Sequence, residues 1–285
     1  MLCIPSNELI LDRISVLRMQ EQSAYEKSPP TDHAHINFDH RSAMVIWWLN
    51  LLEILEYPTE IAEIALSYLD RCLCSTAGSS MAQNLSSFRL LCVTCIYTAI
   101  KVHGYASVPP SSFAQLCQDE YTVEQIEEME YKLLPALQWR MNPPTGRSYL
   151  RLFVELLPSV EDDKQIVLEL ADYQVVHSTP NEKWMTVASY VTAYCAFINA
   201  LETVGMDQTM IVSLQQTLRF SLEIDCEKED AFRKDLQSLV LASTNTLEKA
   251  YSSSNDDKSI DLGSKASKKC AISSPRSVLY QEESP

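Results

Sequence analysis

Glycine and positive charge are both scarce in this sequence. Only five glycines occur among 285 residues, and no two of them are close together. Phosphate-binding loops of the P-loop or dinucleotide type need clustered glycines, so the sequence excludes the nucleotide-using enzymes built on such loops. With 23 basic and 38 acidic residues the formal net charge is −15, which would repel a nucleic-acid backbone over much of the surface. We therefore expect no nucleic-acid partner.

A long apolar run and an export signal are also missing. The longest apolar stretch, residues 90–100, is bounded by Arg89 and Lys101 and is shorter than the ~20 residues that a membrane-spanning helix needs. The first five residues lack the charged-then-apolar order of a signal peptide. We expect a protein of the nucleus, the cytoplasm or both, with no membrane partner.

The cysteines indicate reduced thiols. Their number, nine, is odd, and a chain without an export signal is not expected to carry a disulfide framework. Cys92 and Cys95 form a C-x-x-C pair, and Cys72 and Cys74 lie earlier in the chain. Residues two apart on a helix point to nearly opposite sides, so Cys72 and Cys74 cannot both face one metal ion in the helix predicted there. We expect no metal and no other cofactor.

Apolar residues recur at helical spacing from Arg41 onwards. In the first half they predict helices over residues 41–57, 59–74, 84–102, 111–118 and 122–137. The third of these is apolar nearly all round, so we expect it at the centre of a helical bundle. Thr122 and Gln125 have the spacing of a capping box at the start of the fifth.

The second half repeats this pattern, with predicted helices over residues 145–156, 161–177, 181–201, 207–222 and 227–251. Pro143 and Pro144 mark the boundary between the halves. The predicted fold class is all-α, with two consecutive domains of five helices each. The expected divisions are a flexible N-terminal arm or linker over 1–36 with a short helix near 8–22, domains over 37–142 and 143–250, and a disordered tail over 251–285.

Several ordered motifs in the first half resemble the cyclin box. Arg41, with Trp47 six residues later, is similar to the family's first helix, and residues 67–73 (Ser-Tyr-Leu-Asp-Arg-Cys-Leu) resemble its second-helix signature. Residues 91–101 resemble the central helix, and segments 120–139 and 143–153 resemble the fifth helix and the start of a second box. The resemblance covers about residues 38–153, is closest to the D-type and expanded protist cyclins, and implies two cyclin-fold domains.

The resemblance implies a non-catalytic regulatory subunit that binds and activates a cyclin-dependent protein kinase in cell-cycle control. Lys101 and Glu130 match the family's kinase-binding lysine and glutamate, both expected at a partly exposed rim. Arg41 and Asp70 match a structural ion pair between the first two helices. Cyclins often follow the lysine with a hydrophobic residue and two acids, whereas Val-His-Gly stands here at residues 102–104. Part of the kinase contact is therefore open to question.

The family's docking groove for kinase substrates or inhibitors would fall on Ala43, Met44, Trp47, Asn50, Phe88 and Arg89. Leu85 stands where an arginine is common in that groove, and Met44 and Trp47 have the alternative of being core residues. Ser-Pro dipeptides, the minimal site of proline-directed kinases, occur at Ser28, Ser274 and Ser284 in segments expected to be flexible. They predict phosphorylation at these serines.

Two other function classes stay open. A cyclin-fold transcription initiation factor would bind DNA and a polymerase, but it needs a basic face and this sequence is acidic. A cyclin-fold scaffold that does not activate a kinase is left open by the departure at residues 102–104. The sequence contains no G-x-S-x-G or H-E-x-x-H motif and no other catalytic grouping, so we expect that the chain is not an enzyme.

Overall fold

Helices build the described structure. A computed structural model describes residues 7–27, 36–75, 77–106, 108–158, 160–253 and 274–275, apart from the side chains of Ser79 and of residues 242–253. Within these ranges every regular element is an α-helix or a short 3-10 helix. The predicted all-α fold class is therefore confirmed.

The α-helices, in chain order, are α1 (Asn7–Ala24), α2 (Phe38–Ile54), α3 (Glu60–Leu73), α4 (Gly78–Met81), α5 (Leu85–His103), α6 (Pro110–Leu116), α7 (Val123–Ala136), α8 (Gly146–Glu155), α9 (Glu161–Ser178), α10 (Ser189–Val204), α11 (Gln208–Leu222) and α12 (Cys226–Ser253). A 3-10 helix, Glu182–Trp184, precedes α10. One apolar core lies among α2–α7 and a second among α8–α12. The chain thus forms two consecutive helical domains.

Helix α5 lies at the centre of the first domain. Residues 91–100 are all buried, and the helix packs against α2, α3 and α7. Its length and mean hydropathy alone would suit a membrane span, but 67% of the relevant window is buried inside the domain. The apolar side chains of α5 are therefore core residues of the first domain.

Side-chain caps fix where several helices begin. Capping boxes start α2, α5, α7 and α8, formed by Asn37 with His40, Asn84 with Ser87, Thr122 with Gln125, and Thr145 with Ser148. In each box two otherwise unpaired backbone N–H groups of the first turn gain side-chain acceptors. The box predicted at Thr122 is present, and it fixes the start of the helix that carries Glu130.

The N-terminal helix is docked onto the second domain. Ile10 and Ile14 of α1 are buried in the second core. Glu21 is 3% exposed and accepts hydrogen bonds from the Tyr149 hydroxyl at 3.0 Å and the Ser189 backbone N–H at 2.6 Å. The expectation of a flexible arm was therefore wrong for α1, because this helix buries apolar side chains and a fully bonded carboxylate.

Helix α10 begins later than the apolar spacing predicted. A helix was expected from residue 181, but the Asn181 side chain instead accepts a hydrogen bond from the Lys183 backbone N–H at 3.0 Å and caps the 3-10 helix. Trp184 is 4% exposed and its ring lies 5.6 Å from that of Phe232. The chain makes a separate turn here because that turn buries the indole before α10 starts.

Helix α3 joins the two domains through its first turn. Glu60 accepts a hydrogen bond from the Thr145 hydroxyl at 2.7 Å and pairs with Arg151 at 2.9 Å. Glu63 accepts a hydrogen bond from the Gly146 backbone N–H at 2.7 Å. Because Thr145 and Gly146 begin α8, carboxyl groups of the first domain accept hydrogen bonds at the N-terminus of a helix of the second.

The last turn of α3 holds the linker between the domains. Arg71 donates hydrogen bonds to the carbonyl oxygens of Leu137 at 2.8 Å and Arg140 at 2.9 Å. The Tyr68 hydroxyl donates to the carbonyl oxygen of Met141 at 2.5 Å. Carbonyl groups at the end of α7 and in the linker are thereby paired, although the linker forms no helix or strand of its own.

The cysteines of the first core are neutral thiols. Cys72, Cys92 and Cys95 are free and buried. Burial raises the pKa of Cys72 to about 12 and raises the pKa values of Cys92 and Cys95 well above the ordinary value. Across the described ranges no group of three or more His, Cys, Asp or Glu side chains is arranged to hold a metal ion.

Candidate functional site

Two helices of the first domain bring Lys101 and Glu130 together. Lys101 lies in the last turn of α5 and Glu130 lies within α7, which packs against α5. The Lys101 ammonium donates a hydrogen bond to Oε2 of Glu130 at 2.9 Å, and the Thr98 hydroxyl donates to Oε1 at 3.2 Å. Because both carboxylate oxygens have donors, the position of the Glu130 side chain is fixed.

The two members of this pair differ in exposure. The Lys101 side chain is 51% exposed, whereas that of Glu130 is 11% exposed. The hydrogen bond to Glu130 raises the pKa of Lys101, and Nζ lies 5.7 Å from the centroid of the Tyr97 ring, within the range of a cation–π contact. The expectation of two rim charges therefore needs correction. The pair presents one exposed positive charge, held from beneath by a buried carboxylate.

Exposed apolar side chains adjoin the pair along the chain. Val102 directly follows Lys101 and is 47% exposed, and Tyr131 directly follows Glu130 and is 79% exposed. Exposed aromatic and apolar side chains of this kind are frequent in surfaces that bind another protein. We call Lys101, Val102, Glu130 and Tyr131 the α5–α7 surface.

The departure from the cyclin pattern after Lys101 has a structural role. Nε2 of His103 lies 2.8 Å from the carbonyl oxygen of Met141, so this nitrogen carries the proton and donates to the interdomain linker. A Cβ added to Gly104 would lie 2.5 Å from the carbonyl oxygen of Ile100, which leaves no room for a side chain. His103 therefore attaches the end of α5 to the linker, and Gly104 ends the helix where a side chain would not fit.

Arg41 of α2 and Asp70 of α3 lie together as a bidentate ion pair. Nε of Arg41 donates to Oδ1 of Asp70 at 2.9 Å, and Nη2 donates to Oδ2 at 2.7 Å. The Arg41 side chain is 3% exposed and that of Asp70 is 20% exposed. The pair lines a cavity of about 310 Å³ between the two domains. It fixes the start of α2 against the end of α3.

The residues predicted to form a docking groove are mostly buried. Met44, Trp47 and Phe88 belong to the first core, and Arg89 is 5% exposed. Asn50 is exposed and Ala43 is half-buried. The core alternative therefore holds for Met44 and Trp47, and the groove is not open at these positions, because their side chains fill the space between helices.

One of the three Ser-Pro serines lies within the described residues. The Ser274 hydroxyl donates a hydrogen bond to Oε2 of Glu120 at 3.0 Å, and Pro275 is buried. The expectation of a flexible segment does not hold at Ser274, because it is bonded to the first domain. Ser28 and Ser284 lie outside the described residues, so phosphorylation at these serines stays a prediction.

Sequence reasoning did not single out Thr98, Glu60 and Glu63. Thr98 lies three residues before Lys101, a spacing that places both on one helix face, so a polar residue there was the available signal. Glu60 and Glu63 look like ordinary first-turn acids, which are common at helix N-termini. Their role in joining the domains depends on residues more than eighty positions away.

A family model covers the part of the chain that contains both charged pairs. The model described as "Cyclin, N-terminal domain" matches residues 12–142. The match begins within α1 and ends in the linker that follows α7.

Curated relatives include D-type and A-type cyclins. G1/S-specific cyclin-D1 of Xenopus laevis is 24% identical over 77% of this chain and 75% of its own length. Human G1/S-specific cyclin-D1 is 22% identical over 66% of this chain and 63% of its own length. Cyclin-A1-3 of Oryza sativa subsp. japonica is 26% identical over 52% of this chain and 30% of its own length. The chain thus spans less than two thirds of the human and rice proteins.

A solved structure has the same fold. The X-ray structure of a viral cyclin from herpesvirus saimiri matches with a TM-score of 0.57 and 16% identity, covering 75% of this chain and 96% of the viral chain. At this identity the match concerns the fold alone, whereas the domain match and the curated relatives concern the sequence. Residues 12–142 therefore match the N-terminal domain of cyclins, and the chain is similar in sequence to cyclins and has a cyclin fold.

Proposed function

We propose that this chain is a non-catalytic regulatory subunit that binds and activates a cyclin-dependent protein kinase in the control of the cell cycle, in the nucleus, the cytoplasm or both. The Lys101–Glu130 pair carries the proposal, because both residues match the kinase-binding positions of cyclins and the pair lies at the surface with Lys101 half exposed. Relatives named as G1/S-specific cyclins support the cell-cycle role.

The α5–α7 surface has the properties that docking on a kinase helix requires. Lys101 has three N–H donors, of which Glu130 engages one, so the others remain for a carbonyl or carboxylate of the partner. Val102 and Tyr131 offer apolar area that loses water on association. The apolar contacts supply the affinity, and the positioned charge sets the register of the two proteins.

Binding at this surface activates a kinase by biasing its conformation. A protein kinase is competent when the glutamate of its αC helix pairs with the lysine of its third strand. A rigid surface that binds αC in that position, and not in a displaced one, shifts the population towards the active state. Helices α5 and α7 share a close-packed core, which suits them to this role, and the chain contributes no catalytic group.

The test replaces the charged pair by neutral side chains of similar shape. Lys101→Met combined with Glu130→Gln keeps the packing, and the glutamine oxygen can still accept a hydrogen bond from Thr98. The matched control, Lys183→Met with Asp235→Asn, neutralises an exposed pair of the same 2.9 Å separation in the second domain. Each variant is combined with purified cyclin-dependent kinases, and the dissociation constant and phosphate transfer to a peptide are measured.

We expect the α5–α7 variant to melt near the wild-type temperature but to bind its kinase at least about thirtyfold more weakly, since losing a partly buried charged contact costs ~2–5 kcal/mol of binding. The control variant should bind and activate normally. A folded α5–α7 variant that activates fully would show that the site is wrongly assigned.

The kinase assay and a gel-shift assay together separate the scaffold and transcription-factor alternatives. Wild-type chain that binds a kinase without raising its activity would support the scaffold class. A chain that binds no kinase but retards DNA in a gel-shift assay would support the transcription-factor class, against which the net charge of −15 argues.

A further inference from the structure

The dipeptide Ser274–Pro275 lies against the first domain, far in sequence from the residues that it meets. The Ser274 hydroxyl donates a hydrogen bond to Oε2 of Glu120 at 3.0 Å, across 154 positions of the chain. Pro275 is buried and Ser274 is half-buried. A buried proline next to a bonded hydroxyl indicates a seated contact, because an exposed serine would exchange this bond for water at little cost.

The carboxylate that receives Ser274 is the centre of a small polar cluster. Oε1 of Glu120 accepts a hydrogen bond from the Tyr121 hydroxyl at 3.2 Å and lies 3.6 Å from Nη1 of Arg89. The side chains of Arg89 and Glu120 are 6% and 14% exposed. One oxygen therefore faces the cation and the phenol, and the other faces Ser274. We call Arg89, Glu120 and Tyr121 the Glu120 corner.

We propose that Ser274–Pro275 is an intramolecular ligand of the Glu120 corner and that phosphorylation of Ser274 releases it. A proline-directed kinase would transfer the γ-phosphoryl group of ATP: the Oγ–P bond forms, the bond to ADP breaks, and the hydroxyl proton is lost to solvent. The dipeptide Ser-Pro is the minimal sequence for such a kinase, and in this pair Ser274 is bonded to the first domain and Pro275 is buried.

The chemistry of the contact gives the direction of the effect. In the unmodified chain Ser274 supplies the O–H that Glu120 accepts, and phosphorylation removes this donor. It also adds a charge of about −1.5 to −2 next to a carboxylate, in a partly buried place where repulsion is weakly screened. Arg89 attracts a phosphate in principle, but it already faces the other oxygen of Glu120. Because Oε2 of Glu120 lies 3.0 Å from the hydroxyl that is modified, we expect its repulsion of the phosphate to outweigh the attraction by Arg89.

Release would uncover the surroundings of Arg89, although Met44 and Trp47 of the predicted groove stay buried in the core. Arg89 belongs to the six predicted groove residues and is also a member of the Glu120 corner. The bound segment would thus compete with a substrate or inhibitor approaching Arg89. This consequence rests on the proposed function, whereas the docking of the segment and its release do not.

Hydrogen exchange of the full-length chain tests the proposal without any kinase partner. Phosphoserine is incorporated at position 274, and amide exchange is followed in the peptides that contain Glu120 and Ser274. We expect exchange there to become roughly tenfold faster, the factor that corresponds to one hydrogen bond to a charged group. Ser274→Ala should act in the same direction but more weakly. The matched control is phosphoserine at position 284, also followed by proline, which should leave the Glu120 peptide unchanged.

A change of charge at the receiving residue makes the test sharper. In Glu120→Lys the phosphate should slow exchange, because attraction replaces repulsion, and in Glu120→Gln its effect should be small. Melting curves check that both variants fold, and if Glu120→Lys does not, Glu120→Gln alone decides. Equal exchange with and without phosphate at 274, an equal effect of phosphate at 284, or acceleration of the same size in Glu120→Gln would each overturn the proposal.

Discussion

Replacing Asp70 by alanine should destabilise the first domain strongly. The substitution removes both acceptors of Arg41 and leaves a guanidinium that is 3% exposed without its counter-ion. Removing one partner of a buried pair typically costs ~3–5 kcal/mol. Asp70 is 20% exposed and the pair borders a cavity of about 310 Å³, so water can reach Arg41 in part. We therefore expect the lower end, about 3 kcal/mol.

Thermal and urea unfolding, followed by circular dichroism, measure this cost. For a chain of this size a loss of about 3 kcal/mol lowers the melting temperature by ~6–12 °C. Because two domains can unfold separately, the transition of the first domain is followed by hydrogen exchange within α5. The exchange of α10, in the second domain, serves as the internal control and should change less.

A double substitution separates the ion pair from simple loss of packing. Arg41→Met with Asp70→Leu removes both charges and keeps apolar volume, and such replacements of buried pairs are often neutral or stabilising. We expect the double variant to recover most of the stability that Asp70→Ala loses. An unchanged melting temperature in Asp70→Ala, or a double variant that loses as much as the sum of the two single substitutions, would refute the reasoning.

Substitutions at three further positions test the structure elsewhere. Burial raises the pKa of Glu63 from 4.5 to about 7, so its protonated form contributes stability that is complete below the ordinary pKa and lost as the pH rises through about 7. In urea titrations at different pH values, Glu63→Gln should therefore flatten the fall in unfolding free energy across that range. An unaltered pH profile would contradict this. Ile14→Ala should lower the free energy of unfolding by ~2–5 kcal/mol, because Ile14 is fully buried in the second core. An unchanged melting temperature would mean that α1 is not docked in solution. Gly205 ends α10 with φ 77°, and an added Cβ would have open space around it. Gly205→Ala should therefore lower the free energy of unfolding by ~1 kcal/mol through backbone strain alone, and Gly205→Asn should lower it less. Equal losses for the two variants would argue against the left-handed conformation.

The sequence located most helices because their boundaries depend on local chemistry. Capping residues such as Thr122 and Thr145 bind backbone groups three positions away, so their effect can be read without knowledge of the fold. The central place of α5 followed from apolar residues on all its sides, which only burial on all sides can satisfy. Local and tertiary requirements agree in these segments.

A short helix near residues 8–22 was predicted, but its docking on the second domain was missed because its apolar residues do not mark one face. Ile10 and Ile14 are buried, but Leu9, Val16 and Met19 are 51%, 64% and 62% exposed. The spacing of these five apolar residues therefore does not reveal which of them pack against the second core. The burial of Glu21 was equally hidden, because its two donors lie more than a hundred positions away.

The sequence predicted that Lys101 and Glu130 belong to the candidate site, but not how the two side chains are arranged. The resemblance assigned Lys101 and Glu130 together, since each matches a motif position. That Glu130 lies beneath Lys101 depends on the packing of α5 against α7 and on Thr98, whose hydroxyl occupies the second oxygen. Burial of one charge and exposure of the other is a tertiary property, which residue type and spacing do not determine.

Helix α3 connects α2, α5, the linker and the second domain. Its first turn binds the start of α8 through Glu60 and Glu63, and its last turn holds Asp70 against Arg41 and Arg71 against the linker. The helix also packs along α5, whose last turn carries the surface charge of the α5–α7 surface. Since close-packed helices cannot shift singly without opening voids, a force on the α5–α7 surface is shared by both domains. The proposed role of binding one conformation of a kinase requires this stiffness, because a surface that yielded would follow the kinase helix instead of holding it.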